Sequence, residues 1–465
     1  MNQPVRKTPF KLFPINKSND GKYSYFDSSP IITFEFNQNL SRLITSSSLR
    51  LCGKFKVFNN NDQKQLPANR FDLNGSANAS PESYEQVAYI DDRIAVQSVI
   101  ESVSVSNMRG NMLEQAKNYN RNMASFVGAT SSYKNLCSYD NMLFTSTANN
   151  DVMARECSSE IEFALPFKNG YFSSNPGISL ESGLQIKVNL AADAQVLFGL
   201  SAQNFVYQLE NLFLAGDYLE LAKPVKGLDE DYSAYYNFQN VMSSGNDHQN
   251  LNINLRMVNT LYNNFLPSAW TNNFGFSGFS TAPLLNNNAG VYSVADIKRY
   301  NFNRGAVRYP ANYEVNEVDA NRDDVFQAFR SRKYLNAIFP YAMMENAVIS
   351  PDTEKLKDLV DLRTDFNNTP QACDQGLYPK WVFNATGNGT PWSKSADQYE
   401  KAANVYGLGN RLDALFTGES ADYSGASLNY NIESELDNTS NNVFIYALAS
   451  TELMSDKMGN VVAIN

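Results

Sequence analysis

The chain has 465 residues, 43% of them hydrophobic, which is enough to fill the cores of two or three domains. Charged residues are only 18%, the net charge is −10 and no long basic tract occurs, so a phosphate-tracking nucleic-acid binder is not expected. A single histidine and four scattered cysteines without a C-x-x-C pair exclude multi-histidine zinc sites and a disulfide-stapled scaffold.

In chain order, residues 1–22 lean positive through Arg6, Lys7, Lys11, Lys17 and Lys22. This arm reads as a solvated tail; an arm reaching toward nucleic acid or a neighbouring subunit is the other reading. Met1 to Pro30 contains no apolar h-region, and no uninterrupted apolar run approaches a membrane-spanning length. The expectation is a chain made and folded in a reducing compartment, neither secreted nor anchored.

Period-two alternation then dominates. Ile32, Phe34 and Phe36 share one strand face. Leu49, Leu51, Gly53, Phe55 and Val57 alternate with Arg50, Cys52, Lys54 and Lys56. Ile161 to Phe167 and Leu184 to Leu190 repeat the pattern, each reading as a half-buried antiparallel strand. Phe205 to Leu221 reads as a long strand broken at Gly216-Asp217, and Pro224 to Asp231 as an acidic linker. Strands resume at Leu251 to Met257, Leu428 to Ile432, Val443 to Leu448 and Val461 to Ile464.

One composite unit occurs twice. Val99 to Phe126 passes from an alternating strand through an Asn–Gly turn into an amphipathic pattern predicting a helix over Met112 to Gly128. Tyr300 to Phe329 repeats that order, with a turn at Asn303 to Gly305 and a helix predicted over Asp323 to Phe339. A third helix is predicted over Ser395 to Tyr406. Helices this short and scattered rule out a βαβ sheet, so the class is all-β. The asparagine-rich loop Asn263 to Ser280 carries aromatic residues that either clamp a neighbour or pack on their own barrel.

No reaction is visible. His248, in S-G-N-D-H-Q-N, reads as a surface-loop histidine without triad partners. The carboxylates at Asp91-Asp92, Asp229 to Asp231 and Asp323-Asp324 are adjacent pairs in turns, where a glycosidase needs two facing each other across a cleft. Gly407-Leu-Gly409 lacks the third glycine of a dinucleotide fingerprint and follows a predicted helix. The expectation is no enzyme, no cofactor and no metal.

The segment N-M-R-G-N-M-L-E-Q-A-K-N-Y (Asn107 to Tyr119) resembles double jelly-roll viral major capsid proteins, those of virophages and Polinton-like viruses first and of large nucleocytoplasmic DNA viruses more distantly. In the same order, S-L-R-L-C-G-K-F (Ser48 to Phe55), F-A-L-P-F (Phe163 to Phe167) and L-Q-I-K-V-N-L (Leu184 to Leu190) resemble the family's strands. So do N-F-N-R-G-A-V-R-Y-P (Asn301 to Pro310), F-I-Y-A-L-A-S (Phe444 to Ser450) and G-N-V-V-A-I (Gly459 to Ile464). The loops Asn263 to Asn288 and Pro370 to Lys394 match nothing in the family and are expected to be outer decoration.

The resemblance implies two consecutive jelly-roll sandwiches, at residues 23–223 and 232–465, joined by the linker 224–231. It implies a homotrimeric, pseudo-hexagonal capsomer that meets neighbouring capsomers, penton and minor capsid proteins in an icosahedral virion assembled inside the host cell. Neither sequence-specific nucleic-acid binding nor membrane insertion is expected. Leu113, Tyr119 and Phe126 are expected to seat the first helix on the first barrel, and Phe326, Phe329 and Leu335 the second helix on the second. Asn107, Gly110, Asn303 and Gly305 are expected to allow the turns. The alternative is a carbohydrate-binding or carbohydrate-active β-sandwich protein, which would need converging carboxylates in an aromatic-lined cleft. A minor structural protein, such as a penton or fibre component, would carry a single barrel.

Overall fold

A computed structural model describes residues 4–16, 21–25, 30–60, 65–66, 90, 94–130, 160–174, 177–197, 205–224, 230–242, 246–251, 255, 257–267, 271–272, 297–304, 307–309, 408–411, 428–434, 441–455 and 461–464. The fold is all-β.

The first half begins with β1 (Pro4–Leu12), β2 (Lys22–Tyr23), β3 (Ile31–Phe36), β4 (Asn39–Thr45), β5 (Arg50–Asn59) and β6 (Gln65–Leu66). It continues through β7 (Ile100–Ser106), β8 (Met112–Ala116), helix α1 (Tyr119–Thr130), β9 (Glu160–Pro166), α2 (Gly170–Ser174) and β10 (Gly177–Leu180). It closes with β11 (Leu184–Leu190), α3 (Asp193–Val196) and the long β12 (Phe205–Leu221). The second half holds β13 (Glu230–Met242), β14 (Asn246–Leu251), β15 (Val258–Pro267), β16 (Ile297–Arg304) and β17 (Val307–Tyr309). After these come β18 (Leu408–Arg411), β19 (Leu428–Ser434), β20 (Asn441–Ser455) and β21 (Val461–Ile464).

The pairing of these strands repeats. In the first half one sheet runs β1-β12-β5-β9 and the other β3-β11-β7-β8, all antiparallel. In the second half the sheets run β13-β20-β15-β18 and β14-β19-β16-β17. If the main strands of each half are numbered one to eight along the chain, both halves give sheets 1-8-3-6 and 2-7-4-5. That is the order of a jelly roll, two packed sheets with Greek-key connections, and it occurs twice. The short β2, β4, β6 and β10 extend the first sheet of the first barrel, and β21 extends its counterpart in the second.

Alternation explains the packing of the first barrel. Ile32, Phe34 and Phe36 of β3 face Leu51, Phe55 and Val57 of β5 across a core that also takes Ile186 and Val188 of β11. Phe55 stacks on Tyr207 with ring centroids 5.9 Å apart. Each large apolar side chain buried this way contributes about 1.5–3 kcal/mol.

Several sequence expectations are corrected. Residues 4–12 are no tail: β1 pairs with β12 from Pro4↔Leu221 to Leu12↔Leu214, so this part of the 1–22 arm belongs to the first barrel. β12 is continuous through Gly216-Asp217, and Gly216 is there because a Cβ would lie 2.8 Å from the Phe10 ring. Its irregularity falls earlier, between Glu210 and Phe213, where Asn211 takes a positive φ of 54°. His248 lies in β14 opposite Asn431, not in a loop. Asn263 to Pro267 continue β15, so the supposed aromatic loop begins as strand. Glu230 and Asp231, read as linker, open β13. Leu251 ends β14, whereas Leu255 and Met257, expected on the same strand, lie in none, and β15 starts at Val258.

Candidate functional site

The twice-occurring unit is, in both barrels, the hairpin of the fourth and fifth strands. In the first barrel β7 and β8 pair from Val103↔Ala116 to Ser106↔Met112. Asn107 closes their turn from inside: its buried Oδ1 accepts the backbone N–H of Arg109 at 3.0 Å and of Asn111 at 2.9 Å. Its backbone carbonyl accepts the N–H of Gly110, whose φ of +89° suits a residue without a Cβ. Asn107→Ala is expected to remove both side-chain bonds and lower the unfolding free energy by about 1–2 kcal/mol, read by denaturant titration.

The residues after this turn form a strand first and a helix second. Met112 to Ala116 is β8, and Asn118, at φ 47°, bends the chain into α1 at Tyr119. Leu113, expected on the helix, is therefore a strand residue, buried in the first core. Beside it the buried Glu114 points the other way along the ladder. Its carboxylate accepts the backbone N–H of Gly170 at 3.0 Å and of Tyr171 at 2.8 Å, as well as the Asn169 amide. A negative charge thus caps the first turn of α2 from a distant segment.

Tyr119, fully buried, pins the start of α1. Its hydroxyl accepts the Lys168 N–H at 2.9 Å and donates to the Pro166 carbonyl at 3.4 Å. Burial pushes its phenol well above the usual range. Asn120 ties the same turn to the Ser98 carbonyl at 2.9 Å.

From this anchored helix the first barrel reaches the second. The Arg121 guanidinium sits over the Phe444 ring of β20, 4.6 Å from its centroid, and the Tyr446 hydroxyl donates to the Asn118 carbonyl at 3.5 Å. Burial pulls Arg121 down to about 10, with Tyr446 and Glu101 opposing the shift. Phe444 through Ala449 are all buried, so both faces of β20 are covered. Phe444 and Tyr446 meet α1 and the turn before it, and alternation puts Ile445 and Ala447 on the opposite face of the strand. Leu453 of β20 joins the first core outright, with Ala463 of β21 packed against it. The two jelly rolls thus share a buried seam.

Of the sequence-derived positions, Asn107, Gly110, Leu113 and Tyr119 gather around this hairpin, and Phe126 falls within α1. Asn303 is a ladder residue of β16, opposite Arg308 and Asn429, because that strand runs on to Arg304. Gly305, Phe326, Phe329 and Leu335, and with them the helices expected over Asp323 to Phe339 and Ser395 to Tyr406, lie outside the described residues. Sequence reading missed Glu114, Arg121 and Phe444, whose partners are distant in the chain. The helical spacing put Arg121 on the outer side with Lys117, whereas it is buried, and nothing local marked these residues.

Among the described residues no group of three His, Cys, Asp or Glu side chains could hold a metal ion. No helix among them is long and apolar enough to cross a membrane. What this arrangement does chemically is cohesion: buried hydrogen bonds and an aromatic–cation contact fix one barrel against the other.

No family model matches the chain, and no curated protein matches it in sequence. Solved structures do match in fold. A chain of the PBCV-1 virus capsid superposes with a TM-score of 0.52 at 9% identity, covering 100% of this chain and 98% of that one. The Sputnik virophage structure gives 0.49 at 9% identity over 100% and 89% of the two chains. The mavirus major capsid protein gives 0.44 at 10% identity over 98% and 90%.

Proposed function

We propose that this chain is a viral major capsid protein that works as a homotrimeric, pseudo-hexagonal capsomer and tiles an icosahedral shell. The observation that carries the reading is the double 1-8-3-6 and 2-7-4-5 order, in a chain whose fold matches a PBCV-1 capsid chain over its full length. Two barrels of one topology give three chains six similar lobes. A lobed ring of six is the outline that packs into a flat sheet while needing only one kind of subunit.

The mechanism is geometric. The shared seam makes each chain one rigid double tile, and trimer contacts on the order of 2,000 Å² or more per interface would make the capsomer obligate. Contacts between capsomers can each be weak, because a closed shell multiplies them. Neighbouring capsomers, penton and minor capsid proteins are the partners on this reading, and the virion, assembled inside the host cell, is the location. The low charged fraction of 18% suits surfaces that meet copies of themselves.

Native mass measurement of the purified full chain tests the reading. The expected species is about 156 kDa, three times the 52.0 kDa of one chain, with a hexagonal outline under the electron microscope. A chain that stays at the monomer mass at every concentration contradicts it.

A further inference from the structure

An Asn–Gly pair is open to closure of the side chain onto the following nitrogen, because glycine has no Cβ to crowd the attack. The chain has three such pairs, at Asn74, Asn169 and Asn388, and the second lies among the described residues. There the two nitrogens that a closure exchanges stand on one carboxylate. Glu114 Oε1 accepts the Gly170 N–H at 3.0 Å, and Oε2 accepts an N–H of the Asn169 amide. An asparagine just before a helix ordinarily turns its oxygen to the orphan N–H groups of the first turn. Asn169 does the reverse. It turns its NH2 to Glu114, and its buried Oδ1 meets no donor among the described residues. An amide with its oxygen unmet is a costly way to hold a carboxylate that backbone N–H groups already satisfy.

We propose that Asn169–Gly170 is a self-modification site, with Glu114 as the group that moves the proton. The Gly170 nitrogen bonds to Cγ of Asn169 and gives its proton to Glu114 Oε1. The bond from Cγ to Nδ2 breaks, and Nδ2 leaves as ammonia with the proton that the carboxylate passes on. One C–N bond forms and one breaks, nothing is oxidised or reduced, and Glu114 ends as the carboxylate it began as. The product is a cyclic imide joining 169 to 170. The capsomer reading neither requires this step nor supports it.

The surroundings favour the product as well as the step. An imide is opened by hydroxide, but Asn169 is 1% exposed and Glu114 4%, and Gly170 and Tyr171 are buried beside them. Water is kept out, and the carboxylate repels an approaching anion. The closure also changes the barrel. Of the three donors described on Glu114, the Gly170 N–H and the Asn169 amide disappear, and the Tyr171 N–H at 2.8 Å is left. Modified chains therefore hold α2 more weakly and are expected to unfold at a lower denaturant concentration.

The purified full chain tests the site when it is incubated at neutral pH, digested with pepsin in acid and mapped by mass spectrometry. Loss of one ammonia at 169–170, counting the imide together with its hydrolysis products, is expected to run at least about tenfold faster in the folded chain than in the same chain unfolded in urea. Folding ordinarily protects an Asn–Gly pair, so a slower loss in the folded chain, or none, overturns the proposal. Two fragments, one ending at Asn169 and one beginning at Gly170, also overturn it, since Nδ2 would then be the attacking nitrogen. Glu114→Gln keeps the volume but cannot take the proton, and is expected to slow the loss in the folded chain by about a hundredfold. An unchanged rate in that variant overturns the proposal. Should the variant fail to fold, the comparison of folded and unfolded wild type decides.

Discussion

Replacing Glu114 by alanine is expected to lower the unfolding free energy of the first barrel by about 3–5 kcal/mol, out of the 5–15 kcal/mol usual for a folded domain. The carboxylate accepts the N–H groups of Gly170 and Tyr171 and the Asn169 amide, and all of these residues are buried. Removing it leaves two backbone donors without an acceptor in a place water does not fill, and an unmet buried donor costs about 1–3 kcal/mol. Glu114→Gln keeps the volume and one carbonyl oxygen but turns an NH2 toward donors, so about 2 kcal/mol is expected there. Denaturant titration of both variants checks the order Ala, then Gln, then wild type. Equal midpoints for all three would mean that α2 is not held by this carboxylate.

The same residue shows where sequence reading stopped. Met-Leu-Glu-Gln-Ala is a run of strong helix formers, and the apolar spacing of Leu113, Ala116, Tyr119 and Met123 fits a helical face. The structure makes Met112–Ala116 a strand because β7 offers it an open ladder, pairing Ser104 with Gln115 and Val105 with Glu114. Tertiary pairing outweighs a propensity of a few tenths of a kcal/mol per residue. The helix then starts where Asn118 breaks the strand. β1 was hidden for the opposite reason. Pro4, Pro9 and its cations read as a tail, yet β1 pairs only with β12, and an edge strand tolerates proline and lysine.

Alternating strands such as Leu184–Leu190 were legible because each carries its own two-sided pattern. The repeat was legible because turn chemistry is local: Asn107 and Gly110 lie within one turn. The seam was not. Tyr446 meets Asn118 across 328 positions, and nothing in either neighbourhood marks the other. A buried tyrosine on a strand reads as core, and only the fold decides whose core it fills.

Raising the pH above about 10 is expected to destabilise the first barrel through two phenols. Tyr119 and Tyr207 are fully buried, the second donating its hydroxyl to the Ala191 carbonyl, and burial raises both above the ordinary value of 10.0. The unfolded chain ionises these groups first, while the folded chain still holds their protons. Their contribution is therefore fully present below pH 10 and is lost as the pH rises, at about 1.4 kcal/mol per unit for each group. Denaturant titrations at about pH 9 and about pH 11 measure this loss. Tyr207→Phe should shrink the loss between these two pH values by about 1.4 kcal/mol, whatever it does to stability at neutral pH. If Tyr207→Phe leaves the wild-type slope unchanged, the phenol is open to solvent and the barrel is not closed around it.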